Sequence, residues 1–391
     1  MTDAAAQRAP PAAPLGLGSV FTQILLVLAV AALAVLAARN VSAHMEARGI
    51  PMGFAFWDQT AGFDINLTLI DYSSLSTYGR AFWVGLLNTL MVGALGILLA
   101  TPLGFAVGIA RLSPNWLLSK LALVYVEVMR NTPLLLQLLF WYNAVLKALP
   151  GPKQSYDLGG TLFLNNRGLF VPKPLFEAGA WVVLAALGVA AVASTVVALR
   201  ARRRQLATGE RTRTLPIALA LCLGLPLIAY FASGQPVSFD FAKLTGFNLK
   251  GGLQIYTEFA ALVFGLVVYT AGFIAEIVRA GVVATARGQT EAAAALGLPR
   301  GLALRLVIVP QAMRLIIPPL ASQWLNIVKN SSLAVFIGFP DLVTIFAGTV
   351  LNQTQAAMQV MAITMGVYLV ISLGLAAALN VVNARFSLRE R

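Results

Sequence analysis

The sequence predicts an all-α fold, a polytopic bundle of about eight transmembrane helices. Three observations predict it. Of 391 residues, 59% are hydrophobic and only 11% are charged, where soluble domains carry about 25% charged residues. The apolar residues fall in runs of about 20, the length that crosses roughly 30 Å of hydrocarbon. Those runs also lack the polar–apolar alternation of a membrane β-barrel. The composition excludes a disordered chain and argues against a soluble enzyme. One cysteine, Cys222, excludes an intrachain disulfide framework, and one histidine, His44, argues against a histidine-based zinc site.

The first run, Val20–Ala38, follows an Ala/Pro-rich stretch that reads as a flexible tail. Its length, with Arg8 as the sole preceding basic residue, favours a retained anchor over a cleaved signal peptide. Spans two to five are read at Ala81–Ala110, Leu118–Leu146, Ala178–Leu199 and Thr214–Phe231. Spans six to eight are read at Tyr256–Val283, Leu306–Val328 and Ala356–Val382. The second, third, sixth and eighth exceed the minimum length, so they tilt or project beyond the lipid. Between spans, Arg39–Arg80 carries Phe54, Phe56, Trp57 and Phe63, and Lys147–Glu177 is rich in Gly, Pro and Asn. Each loop reads equally well as a connector on the membrane or as a docking surface.

Orientation follows from the basic residues of the short loops. Arg200, Arg202, Arg203, Arg204, Arg211 and Arg213 crowd the loop between spans four and five and place it in the cytoplasm. Counting from it puts both termini inside, in agreement with Arg385, Arg389 and Arg391 near the end. Arg287, Arg300 and Arg305 fall on the same side. The net charge of +13 is therefore mostly topological, and a nucleic-acid partner loses its warrant.

The most informative stretch is Gln289–Pro319. Glu291 through Leu296 is a strong helix former, with Thr290 placed to cap its start and an acid in the first turn. Gly297 can end the helix in a left-handed turn, and Pro299 keeps it from resuming at once. The expected product is a stiff helix of about two turns, with Leu296, Leu298 and Leu302 as an apolar edge. From spacing alone it fits equally a docking element and a helix lying on the bilayer.

Ionisable residues inside spans are costly and usually face the bundle interior. Glu127 with Arg130, and Glu276 with Arg279, are three apart and share a helix face near the cytoplasmic ends of their spans. An internal salt bridge, or contact with the cytoplasmic loops, is the expected reading for both. Glu258 lies near the outer end of span six, and Gln323, Asn326 and Asn330 form a polar stripe beside Lys329. That stripe, and Glu258, are candidates for the substrate pathway; interhelical hydrogen bonding is the competing use.

Glu291-Ala292-Ala293, Gly297 and Pro310, with Val307 and Val309 between, resemble the EAA loop of ABC importer permeases. Valine stands where that family usually has isoleucine and leucine. The flanking Arg287-Gly288-Gln289, Pro310-Gln311-Ala312 and Ile317-Pro318-Pro319 resemble the polar amino-acid branch. So do the run Tyr125 to Gln137 and Lys329-Asn330-Ser331-Ser332-Leu333. Phe54 to Ile65, Tyr78 to Phe82 and the extra helix pair between 149 and 254 resemble the longer permease of general L-amino-acid and glutamate/glutamine/aspartate/asparagine systems.

The resemblance implies a type I permease with a five-helix core, spans two, three, six, seven and eight, and three peripheral helices. It divides the chain into residues 1–80, a first core part 81–148, an insert 149–254, a second core part 255–385 and a tail 386–391. The EAA loop, about 287–310, would be the coupling element, with Glu291, Ala292, Ala293 and Gly297 contacting an ATP-binding subunit. No cofactor would be bound directly, because ATP is used by the partner; this chain has no Gly-Lys dipeptide and so no phosphate loop. Expected partners are an ATP-binding subunit dimer, a second, paralogous permease, an extracytoplasmic amino-acid-binding protein and the bilayer. The expected location is the bacterial inner membrane. An ion-coupled secondary transporter is the alternative, and it would not require the EAA loop. A membrane enzyme finds little support in one His, one Cys and an Asp341 that stands alone on an outer connection.

Overall fold

The computed structural model describes residues 17–47, 53–177, 179–209, 214–285 and 287–386. The tail before residue 17, Arg211, Arg213, Arg389 and Arg391 lie outside the described residues, as do the side chains of Arg287, Thr290 and Arg300. The helices are α1 Leu17–Ala47, α2 Tyr78–Arg111, α3 Trp116–Asn131, α4 Leu134–Leu139, α5 Ala180–Thr208 and α6 Thr214–Ala232. They continue with α7 Thr257–Val283, α8 Arg287–Ala295, α9 Arg300–Ala303, α10 Val309–Asn330, α11 Leu351–Thr354 and α12 Ala357–Phe386. Among the described residues, seven helical runs are long and apolar enough to cross a membrane, so the helical, polytopic expectation holds.

The third expected span, Leu118–Leu146, is not one helix. It divides into α3 and α4, with Thr132 extended at φ −102° and ψ 128° between them. Proline lacks an N–H and forces the residue before it out of the helical region, so Pro133 ends α3 and starts α4. A broken helix at membrane depth needs its freed carbonyls satisfied from within the protein. Gln137 does this, donating from Nε2 to the carbonyls of Met129 (3.1 Å) and Thr132 (3.0 Å). Beyond α4 the chain widens into a π-helical turn, Phe140–Leu146.

Two compact units make up the chain. One comprises residues 1–89 and 340–378. Its core gathers Phe56, Ala61, Tyr78, Phe82, Ile345, Phe346 and Val360. Trp57 packs 5.2 Å from Phe82 and 6.0 Å from Phe346, ring centre to ring centre. Thus the loop before α2 is neither a bare connector nor a docking surface for its aromatic residues: Phe56, Trp57 and Phe63 pack inside, and of the four only Phe54 is exposed. Asn88 donates to the carbonyls of Leu67 (2.9 Å) and Pro340 (2.8 Å), pinning the loop to the connection before α12. Asp341 is fully buried there. It does not stand alone: the Thr344 N–H and the Tyr368 hydroxyl donate to its carboxyl at 2.8 and 3.2 Å.

The other unit comprises residues 90–339 and 379–391. Helix α7 runs through its centre, with Leu262, Leu266, Ile274 and Val278 buried. Lipid-soluble helices gain little from the hydrophobic effect against one another, so small residues that allow close approach drive their packing. Gly104 and Gly108 of α2 form such a pair. A Cβ at Gly104 would lie 2.5 Å from Ile274 Cβ, and one at Gly108 2.7 Å from the Ala275 carbonyl oxygen. On α7, Gly272 and Gly281 receive Met129 and Ile316 in the same way. Helices α5 and α6 pack on each other and expose most of their apolar side chains, as peripheral helices do.

The insert is more ordered than its Gly- and Pro-rich composition led us to expect. Its strands are β1 Tyr156–Leu158, β2 Leu162–Asn165, β3 Gly168–Val171, β4 Lys173–Phe176, β5 Val237–Asp240, β6 Lys243–Thr245, β7 Asn248–Lys250 and β8 Leu253–Tyr256. An antiparallel sheet runs β1-β2-β3-β8, and β4-β5 and β6-β7 form two further pairs. Phe170, Ala242 and Leu249 form a small core. The last strand, β8, passes directly into α7, and the Thr257 hydroxyl donates to the Asn166 carbonyl at 3.0 Å. The bundle is helical as expected, with these strands added.

Candidate functional site: the loop after the sixth predicted span

Helix α8 carries the Glu-Ala-Ala motif. It begins at Arg287, so Thr290 lies inside the helix and is not its cap. Its far end closes as expected. Gly297 adopts φ +71°, a conformation that only glycine reaches without steric cost. The Leu298 N–H reaches back to the Ala293 carbonyl (3.0 Å) and the Gly297 N–H to that of Ala294 (2.9 Å). These two bonds are the Schellman arrangement that satisfies the last helical carbonyls. Pro299 then starts the next turn, with the N–H groups of Leu302 and Ala303 donating to its carbonyl. Gln311 Nε2 donates to Gln289 Oε1 at 3.1 Å and ties α10 to α8.

The four predicted coupling residues separate into two groups. Glu291, Ala292 and Gly297 are exposed, and Ala293 is buried within the chain. Ala293 therefore faces the loop's own scaffold. Every other α8 residue whose burial is described is exposed, so only the Ala293 position is closed to a partner. Leu296, one residue before the turn, is 80% exposed.

Charged groups in the spans form one cluster and one separated pair. Arg279 and Glu276 bond through Nη2 to Oε1 at 2.6 Å, and Arg111, at the end of α2, bonds to Glu276 Oε2. Glu127 and Arg130 share a face but make no ion pair with each other. Glu127 accepts from Asn131 at 3.0 Å, and the Arg130 guanidinium sits 5.6 Å from the centre of the Phe273 ring. Both lie in the last turns of α3, where Met129 between them meets Gly272 of α7. Both are exposed on the surface of α3.

Glu258, in the first turn of α7, accepts from the Tyr142 hydroxyl at 2.9 Å and from Lys147 Nζ at 3.2 Å. Those bonds clamp α7 to the end of the preceding helical run. Gln323, Asn326 and Lys329 make no side-chain hydrogen bond or ion pair among the described residues. Ser322, Asn326 and Lys329 lie on one exposed face of α10. A helix face with these groups is poorly suited to lipid.

A family model described as the binding-protein-dependent transport system inner membrane component matches residues 210–387. The putative amino-acid ABC transporter permease protein YhdX of Escherichia coli is 51% identical over 369 residues, 94% of this chain and 94% of that one. The chain belongs to this family. Two other relatives are the general L-amino acid transport system permease protein AapQ of Rhizobium johnstonii (48% identical; 95% of this chain and 93% of that one) and the glutamate/glutamine/aspartate/asparagine transport system permease protein BztB of Rhodobacter capsulatus (40% identical; 95% and 94%).

As an ABC permease it is a multi-pass inner-membrane protein, the transport subunit and not the ATPase. Three parts of this permease depend on contacts that the sequence does not show. Arg111 falls just beyond the apolar run of span two, and its partner Glu276 lies in span six. Gly104-x-x-x-Gly108 is a recognisable small-residue motif, but its partner helix is not legible in the sequence. The role of Gln137 is visible only once the helix is seen to break at Pro133.

Proposed function

We propose that this permease moves polar L-amino acids into the cytoplasm by alternating access, driven by ATP hydrolysis on a separate ATP-binding subunit dimer. One observation carries the reading: a stiff, capped helix, α8, and its closing turn expose Glu291, Ala292, Leu296 and Gly297 while Gln289 ties the helix to Gln311 of α10. Rocking of packed helices needs a rigid lever of this kind. The printed names of the three relatives support the substrate class.

A second, paralogous permease is the partner we assign to the exposed polar faces of α3 and α10. Glu127, Arg130, Asn326 and Lys329 are exposed in the isolated chain, and exposure of such groups to lipid would be costly. A soluble amino-acid-binding protein on the outer face completes the system. No cofactor binds this chain directly in this reading, both termini are cytoplasmic, and Gln323 with Asn326 lies on the substrate route.

The test is reconstitution of the chain with candidate partners in vesicles, measuring substrate-dependent ATP hydrolysis together with uptake. Both are expected to require every component. Uptake by the chain alone, driven by an ion gradient without nucleotide, would overturn the proposal.

A further inference from the structure

A cavity of about 750 Å³ lies where α2 ends, α3 begins and α7 approaches α10. Its walls include Phe105, Ile109, Val278, Leu304, Met313 and Ile316, and Ser113 supplies the single polar side chain among the lining residues. The volume falls within the range of about 300–1,000 Å³ usual for small-molecule sites. The lining is wrong for a polar amino acid, whose ammonium and carboxylate would find no partners there.

The surroundings define an occupant. Trp116, 72% exposed at the start of α3, is the kind of residue that sits at headgroup level. Arg305 follows the lining residue Leu304, Arg314 follows Met313, and Lys120 lies two positions beyond Leu118. All three cations are exposed and have no ion pair or hydrogen-bonded side-chain partner among the described residues. An apolar cavity at the interface, accompanied by unpaired cations, matches an acyl chain joined to an anionic headgroup.

We infer that this cavity binds one acyl chain of an anionic phospholipid, whose phosphate is held by Arg305, Arg314 and Lys120. The bound chain touches Leu304 and Val309, which lie in the π-helical turn and at the start of α10, at the far end of the coupling loop. Lipid occupancy therefore buttresses the base of that loop. The site is separate from the substrate route, so it stands whether or not polar amino acids are the cargo.

The experiment uses the full chain in phosphatidylcholine vesicles containing phosphatidylglycerol with a photoreactive group at the end of one acyl chain. Crosslinked peptides are identified by mass spectrometry. Label is expected on residues 105–118 and 304–316 in excess over the exposed face of α5. Each methylene excluded from an apolar site weakens binding about fourfold, so Ala110→Trp, which removes room for at least two, should lower that label by roughly fifteenfold or more. Neutralising Arg305 and Arg314 to glutamine should lower it roughly fivefold per cation. Should Ala110→Trp fail to insert, competition on the unaltered chain decides: unlabelled phosphatidylglycerol should displace label from the cavity peptides at lower mole fraction than from α5. Equal labelling of cavity and α5 peptides, or equal labelling by a phosphatidylcholine probe with the same chain, would overturn the inference.

Discussion

Glu276→Gln tests the charge cluster that joins the end of α2 to α7. The carboxylate accepts from Arg279 at 2.6 and 3.2 Å and from Arg111 Nη1. Side-chain exposure is 11% for Arg111 and 23% for Glu276. Removing one partner of a buried pair costs about 3–5 kcal/mol because the remaining charge is left without compensation, whereas a surface pair is worth about 0–1 kcal/mol. Arg279 is 33% exposed and can turn toward water, so only Arg111 is stranded. The loss should then sit at the lower end, about 3 kcal/mol. Equilibrium unfolding of the purified chain in mixed micelles measures it. The double change Arg111→Leu with Glu276→Leu removes the stranded charge together with its partner and should recover most of that loss, since apolar replacements of buried pairs are often neutral. A single mutant within about 1 kcal/mol of the parent, or a double mutant no more stable than the single, would refute the reasoning.

Three further outcomes are expected. Gly108→Leu forces a side chain against the Ala275 carbonyl and Val278, costing about 1–3 kcal/mol by overpacking; Gly188→Leu on α5, where no atom lies within 4 Å of the added Cβ, should leave the melting temperature unchanged. Burial pushes the Asp341 carboxyl up to about 6, against hydrogen bonds from Thr344 and Tyr368 that lower it. With the folded value above the unfolded one, its contribution is full below about pH 4 and is lost as pH rises through about 6, a swing of about 3 kcal/mol. Asp341→Asn should flatten the stability profile between those values, and an unchanged slope in thermal unfolding would contradict this. Gly297→Val places a β-branched residue at φ +71°; the strain, about 1–2 kcal/mol or more, should lower substrate-stimulated ATPase activity roughly tenfold in the assembled complex while membrane insertion, read by protease protection, persists.

Much of this permease was legible without its fold. Long apolar runs with few charges made the helical, membrane-spanning class unavoidable, because backbone polar groups in lipid must bond within helices or closed barrels. Gly297 declared a left-handed turn, and the structure closes α8 there. Reading helix ends from caps was less sound: Thr290 has the chemistry of a cap, yet helix continues three residues before it. The strands of the insert, each three or four residues long, are too short for alternation to register. The aromatic residues before α2 carried no sign of where they would be buried.

The residue string by itself determined what must lie in the membrane and where a stiff helix must stop, since those follow from local hydropathy and backbone sterics. Tertiary structure decided which partner each residue met. Arg111 joined Glu276 across 165 positions, and Gln137 sealed the break at Pro133 by reaching the carbonyls of Met129 and Thr132. Ala293 turned inward while Glu291 stayed out. These choices depend on which helix faces lie against each other, and close approach is set by pairs of surfaces that are remote in the chain.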